Sequence, residues 1–310
     1  MSRIHEALKK AEEQRAASQG GVAESLVTDE RTATLTPPDF SPAAHPPTGA
    51  SAGTPAFDRS SSFDMLLERC ATNHWSPDMK TMLFFGPDEH GYGTEQFRTL
   101  RSRLYHLRER QPLKKVLVTS ALPKEGKSFV AANLAQAVAR QQGRRALLID
   151  ADLRSARLHA ALGAPAAPGL SDYLLGQADE FTAMQRGPME NLFFIPHGQG
   201  ISNPAELVAN GRFQLLLKRV ESLFDWIIVD SPPAVPVSDA SLLANCCDGV
   251  LMVVRSDATP FDVARKARQE FSDKHLLGVV LNGLDTDSSY YANYYYTAYA
   301  KPYGEGETQG

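Results

Sequence analysis

Lys115-Val-Leu-Val-Thr-Ser-Ala-Leu-Pro-Lys-Glu-Gly-Lys-Ser128 is the stretch on which the fold turns. Val116 to Thr119 form a short β-branched and aliphatic run, the composition of a buried strand. Pro123 and Gly126 punctuate a loop, and residues 127–141 return to an apolar helical pattern. Ala121, Gly126, Lys127 and Ser128 carry the spacing of a Walker A phosphate loop whose first glycine is replaced by Ala121. The chemistry is electrostatic. The loop runs through Pro123, Lys124, Glu125, Gly126, Lys127, Ser128 and Phe129, and its backbone N–H groups from Lys124 onward face the phosphates, at a helix N-terminus that attracts anions. The Lys127 ammonium neutralises β/γ oxygens, and the Ser128 hydroxyl suits Mg²⁺. ATP and Mg²⁺ are the expected ligands.

Two more apolar runs end in acids. Residues 146–150 read Ala-Leu-Leu-Ile-Asp, with Asp152 and Arg154 following, and residues 226–230 read Trp-Ile-Ile-Val-Asp before Ser-Pro-Pro. Open parallel sheets gather ligands at the carboxyl ends of their strands, so Asp150, Asp152 and Asp230 are expected to converge on the phosphates. One acid at a strand end is an ordinary turn former. Three beside a phosphate loop make a set for holding Mg²⁺ and positioning a water or hydroxyl. Further strands are expected at residues 192–196, 250–254 and 277–281, with helices at 94–110, 212–223, 238–246 and 261–272. This alternation predicts a P-loop NTPase-type α/β fold, a mostly parallel sheet with helices on both faces.

Composition narrows the function classes. The 310 residues are 43% apolar and 22% charged, enough for a sizeable core. Lys plus Arg is 32 against 36 for Asp plus Glu, a net charge of −4, so nucleic acid is not an expected partner. The longest apolar runs fall far below the roughly 20 residues of a membrane helix, and residues 1–15 contain no apolar signal core. The 3 cysteines, Cys70, Cys246 and Cys247, build no disulfide framework. A soluble protein of the reducing cytoplasm is expected.

The ends differ from the middle. Residues 1–17 place Ile4, Ala7, Leu8 and Ala11 at helical spacing, a candidate docking helix. Residues 18–62 are rich in Pro, Ala and Ser and lack apolar periodicity, the composition of a linker. A domain is expected over 63–288. Residues 289–310 form a tail holding Tyr290, Tyr291, Tyr294, Tyr295, Tyr296, Tyr299 and Tyr303, seven of the 10 tyrosines, without Leu, Ile or Val. Cys246 and Cys247 read as packing residues at a helix end. His159 and His197 lack metal-ligand spacing and read as surface or loop residues. Glu95, Arg98 and Arg101 share one helical face, where Glu–Arg pairs ordinarily stabilise an exposed helix.

Taken together, residues 120–128, 147–154, 227–233 and the tyrosine tail resemble the bacterial tyrosine kinases (BY-kinases) of capsule and exopolysaccharide synthesis. The likeness spans residues 92–303. Glu95-Gln-Phe-Arg98-Thr-Leu-Arg101 is similar to that family's ExxRxxR helix, and the resemblance implies a ring-like homo-oligomer built through it. Asn203-Pro-Ala-Glu-Leu207 and Val237-Ser-Asp239-Ala also resemble recurring family segments, as residues 2–11 resemble the start of polysaccharide autokinases. Lys124 stands where the family's loop usually has glycine. Asn282 is similar to an asparagine that contacts adenine in related P-loop ATPases; a turn role is the other reading.

The expectation is therefore an ATP-dependent protein-tyrosine autokinase regulating exopolysaccharide or capsule polymerisation and export. Lys127 would hold the β/γ-phosphates, Ser128 and Asp230 the metal, and Asp152 would join the metal shell through water. Asp150 would orient a tyrosine hydroxyl and accept its proton late, since an ordinary Asp near pKa 3.9 cannot deprotonate a phenol near 10 early. The resemblance implies protein tyrosines as substrates, a membrane polysaccharide co-polymerase (chain-length determinant) as partner, and a place at the inner face of the cytoplasmic membrane. Two rivals stand beside it. A partition- or septum-positioning ATPase shares the loop, but carries a lysine where this chain has Leu122. A catalytically silent nucleotide-binding scaffold of an export complex is the other.

Overall fold

The computed structural model describes residues 59–86 and 91–284. The expected N-terminal helix, most of the expected linker, and the tyrosine tail from Tyr290 to Tyr303 lie outside the described residues.

Eight strands form one sheet in the order β1-β4-β5-β3-β6-β2-β7-β8. They are β1 (Ala71–Thr72), β2 (Lys115–Ser120), β3 (Ala146–Asp150), β4 (Gln185–Arg186), β5 (Leu192–Ile195), β6 (Trp226–Asp230), β7 (Gly249–Arg255) and β8 (Leu276–Asn282). Every pairing is parallel except β4 with β5. Both faces are covered, and the alternation of side chains shows it. Leu147 and Ile149 of β3, Ile227 and Val229 of β6, and Phe193 and Ile195 of β5 enter one core. Ala146, Leu148, Ile228, Leu192 and Phe194 enter the other. A strand buried on both sides has no polar face, which is why these runs are continuously apolar.

The helices are α1 (Arg59–Arg69), α2 (Tyr92–Arg108), α3 (Lys127–Ala139), α4 (Leu158–Leu162), α5 (Leu170–Leu175), α6 (Pro204–Ala209), α7 (Arg212–Val220), α8 (Asp239–Ala244) and α9 (Phe261–Gln269). Helix α3 is buried from Val130 to Ala139, and its small alanines let α2 and the sheet approach closely. The segment before α2 packs on it: the Leu83 N–H donates to Asn133 Oδ1 (2.9 Å) and the Phe84 N–H to Gln136 Oε1 (3.2 Å). Both polar side chains are buried within the helix and satisfied there.

Three expectations need correction. Helix α1 begins at Arg59, inside the stretch read as linker, and its Leu66 is fully buried against the sheet. Helix α8 ends at Ala244, so Cys246 and Cys247 follow the helix rather than ending it. Burial pushes both thiols up, as packing residues require. His159 lies on helix α4 rather than at the surface or in a loop, whereas His197 is in the loop after β5 as a loop reading expects; both are half-buried, with ring centroids 4.9 Å apart.

Candidate functional site: a phosphate loop above paired carboxylates

The loop from β2 to α3 is held from three sides. The Glu125 side chain is buried, where it accepts the Leu122 N–H (2.6 Å) and a hydrogen bond from the Thr259 hydroxyl. Glu125 thus offers its backbone, not its carboxylate, to a ligand. Asn282, at the end of β8, donates from Nδ2 to the Glu125 carbonyl (2.9 Å). A Cβ on Gly126 would sit 2.0 Å from that Nδ2, and Gly126 has φ +95°, so only glycine fits both the turn and the strap. Lys124 has φ +68°, a left-handed conformation that costs a non-glycine residue roughly 1–2 kcal/mol. A glycine at this position would carry no such cost. Phe129 packs its ring edge-on against Phe97 of α2, 5.6 Å between centroids.

Beside the loop lies a cleft of about 500 Å³, lined by Pro123, Lys124, Gly126, Lys127, Ser128, Phe129, Asp152, Arg154 and the prolines after β6. That size suits a small-molecule ligand. Lys127 Nζ reaches Asp152 Oδ2 at 2.8 Å. Parallel register sets Asp150 of β3 opposite Asp230 of β6, so the two carboxyls lie side by side at the sheet's carboxyl edge. They sit beneath the cleft, 0% and 1% exposed. Arg154 forks onto Asp239, Nε to Oδ2 at 2.7 Å and Nη2 to Oδ1 at 3.0 Å, tying the segment after β3 to the start of α8.

The charges are unevenly distributed. Burial, then the Asp230 and Asp152 carboxylates, push Asp150 well above the ordinary carboxyl range, while Lys127 pulls it back only partly. Burial lifts Asp230 to about 6 despite the opposing pull of Lys127 and a hydrogen bond from Ser128. Burial works against the Lys127 charge, yet Asp230 and Asp152 raise its pKa above the ordinary lysine value. Asp230 Oδ1 and both Asp150 oxygens are buried without a hydrogen bond of good geometry among the described residues, although the Leu158 N–H lies near Asp150. Three carboxyls around one ammonium, with orphaned oxygens, fit a hard divalent cation; Ser128, Asp152 and Asp230 supply an all-oxygen set.

The structure therefore gathers Lys127, Ser128, Asp150, Asp152 and Asp230 in one place, and Asn282 beside the loop. Glu95, Arg98 and Arg101 lie apart from it on α2. Glu95 and Arg98 form an ion pair, and Arg101 donates inward to the Ala137 carbonyl of α3. His159 and His197 next to Asp150 were missed in the sequence, because 38 residues separate them and only the folded β3–β5 edge brings them together.

The comparisons agree with this geometry. The model for the CobQ/CobB/MinD/ParA nucleotide binding domain family matches residues 116–300. Tyrosine-protein kinase YwqD of Bacillus subtilis is 37% identical over 192 residues, 61% of this chain and 81% of that protein. Tyrosine-protein kinase wzc of Salmonella typhimurium is 32% identical over 207 residues, 66% of this chain but only 29% of that protein. The kinase domain of Escherichia coli tyrosine kinase ETK superposes with a TM-score of 0.63 at 29% identity, covering 72% of this chain and 84% of that chain. Fold and loop place the chain in the CobQ/CobB/MinD/ParA class of nucleotide-binding domains. Within that class it belongs to the bacterial tyrosine-protein kinase family.

Proposed function

We propose that the chain is an ATP-dependent protein-tyrosine autokinase that regulates exopolysaccharide or capsule polymerisation and export. The observation that carries this reading is the Lys127–Asp152 pair in the cleft, set directly above the adjoining Asp150 and Asp230. Phosphoryl transfer needs positioning and charge stabilisation more than covalent help. Lys127 leaves Asp152 to hold the β/γ-phosphates, and loop N–H groups from Lys124 to Phe129 cradle them. Ser128, Asp152 and Asp230 would hold Mg²⁺, which when bound supplies neutralisation of phosphate charge. The tyrosine oxygen bonds to the γ-phosphorus as the bond to ADP breaks. Its proton passes late in the step to Asp150, whose raised pKa makes it a better acceptor than an exposed aspartate. Opening of the Lys127–Asp152 pair gives the hydroxyl its route to this buried group.

In this reading the tyrosines from Tyr290 to Tyr303 are the autophosphorylation sites, and Asn282 contacts adenine as well as the loop. Glu95, Arg98 and Arg101 hold a ring-like homo-oligomer, in which one subunit's tail reaches a neighbour's site. A membrane polysaccharide co-polymerase is the partner that brings the kinase to the inner face of the cytoplasmic membrane. No helix among the described residues is long and apolar enough to cross a membrane. The test is Lys127→Met: phosphotyrosine formed with ATP and Mg²⁺ should vanish while the circular dichroism and melting of the protein persist. Autophosphorylation at the wild-type rate in this variant would end the assignment of the loop.

A further inference from the structure

One cluster beside the site is not used by phosphoryl transfer. Asp150, His159 and His197 each offer a ligand atom, and these atoms lie within 4.8 Å of one another. Asp150 ends β3, His159 sits on α4, and His197 follows β5 two residues past Ile195, the partner of Ile149 in the parallel register. The Asp150 carboxyl is fully buried, and neither of its oxygens makes a hydrogen bond of good geometry, the Leu158 backbone N–H being the one donor near enough to favour its charge. The Nδ1 atoms of His159 and His197 are likewise buried without a hydrogen-bond partner among the described residues. Three orphaned ligand groups in one place incur a desolvation cost with no hydrogen bond in return. A single ion would satisfy all three.

We propose that Asp150, His159 and His197 form a second cation site, selective for a divalent transition metal of the Zn²⁺ class and distinct from the all-oxygen Mg²⁺ site. Two imidazoles and one carboxylate are poor ligands for Mg²⁺ but a common donor set for Zn²⁺, Co²⁺ or Fe²⁺. Tetrahedral zinc, with bonds of about 2.0–2.1 Å, needs its ligand atoms about 3.4 Å apart. The side chains therefore close in by about an ångström on binding. Both histidines are partly exposed, and neither lines the nucleotide cleft. A fourth position stays open for water.

The consequence for the kinase rests on the function proposed above. A metal bound to the Asp150 carboxylate occupies the lone pair that accepts the tyrosine proton, and it adds positive charge beside Lys127. The site is therefore inhibitory.

Cobalt reads the site directly. Full-length protein stripped of metal is titrated with Co²⁺ in excess Mg²⁺, and visible d–d absorption is followed. The expected result is one equivalent with imidazole and oxygen ligation and no thiolate charge-transfer band. His159→Gln and His197→Gln, which keep side-chain volume, should each weaken binding by roughly tenfold or more, with melting curves confirming the fold. Absence of the d–d bands in the wild type overturns the proposal, as does wild-type Co²⁺ affinity in both glutamine variants. The second arm adds Zn²⁺ to the ATP reaction: inhibition should weaken in parallel in His197→Gln. A chain that binds Co²⁺ as expected but never forms phosphotyrosine would refute the kinase reading and leave the metal site standing.

Discussion

Replacing Asp230 with asparagine should stabilise the nucleotide-free protein. Asp230 is 1% exposed, and burial lifts its pKa from 3.8 to about 6 even though Lys127 and Ser128 favour its charge. The sign follows from proton binding. Below about pH 4 the group is protonated in folded and unfolded chains alike, and ionisation costs nothing. Between about pH 4 and 6 the folded chain keeps a proton that the unfolded chain has lost, so stability falls as pH rises. Above about pH 6 the whole cost is present, about 3 kcal/mol for this displacement. Asparagine cannot ionise, so Asp230→Asn should be more stable than wild type by about 3 kcal/mol at pH 7.5, with the gap closing near pH 4. Urea denaturation at several pH values, with EDTA and no nucleotide, measures it. The same variant should lose the stabilisation that Mg²⁺ with ADP gives the wild type. A variant less stable than wild type at pH 7.5, or a gap independent of pH, would refute the claim that this carboxyl is held at a cost to folding.

Three further substitutions, at two positions, probe the loop. Lys124→Val puts a β-branched residue at φ +68° and should lower stability by about 1–2 kcal/mol, whereas Lys124→Gly should change it by less than about 1 kcal/mol, because relief of strain opposes greater unfolded-state freedom; thermal melts compare the two. Asn282→Ala removes the strap to the Glu125 carbonyl and should cost about 1 kcal/mol, with ADP affinity several-fold weaker by calorimetry.

What could be read from the sequence was what repeats or alternates locally. Strands β2, β3 and β6 sit between two cores, so residues 116–118, 146–149 and 226–229 are apolar without a break and the strands are plain. The acids at their ends followed from the topology of a parallel sheet, and Asp150 and Asp230 do lie in register. Helices α4, α5 and α6 have only five or six residues, too few for a helical period to register. Helix α1 opens on Arg-Ser-Ser-Ser, which reads as linker, and only its docking of Leu66 into the core makes it helical. Contacts between distant segments carried no local signal. The Asn282 strap on Gly126, the inward Glu125 side chain and the His159–His197 pair against Asp150 all depend on the assembled sheet.

The fate of the γ-phosphate is the most direct test of the central claim. Full-length protein incubated with γ-labelled ATP and Mg²⁺ should carry the label as phosphotyrosine, and peptide mapping should find it among Tyr290, Tyr291, Tyr294, Tyr295, Tyr296, Tyr299 and Tyr303. Label appearing only as inorganic phosphate would contradict the account and make the chain an ATPase of the partition or septum-positioning kind. Nucleotide bound without turnover would contradict it equally, and leave a silent scaffold.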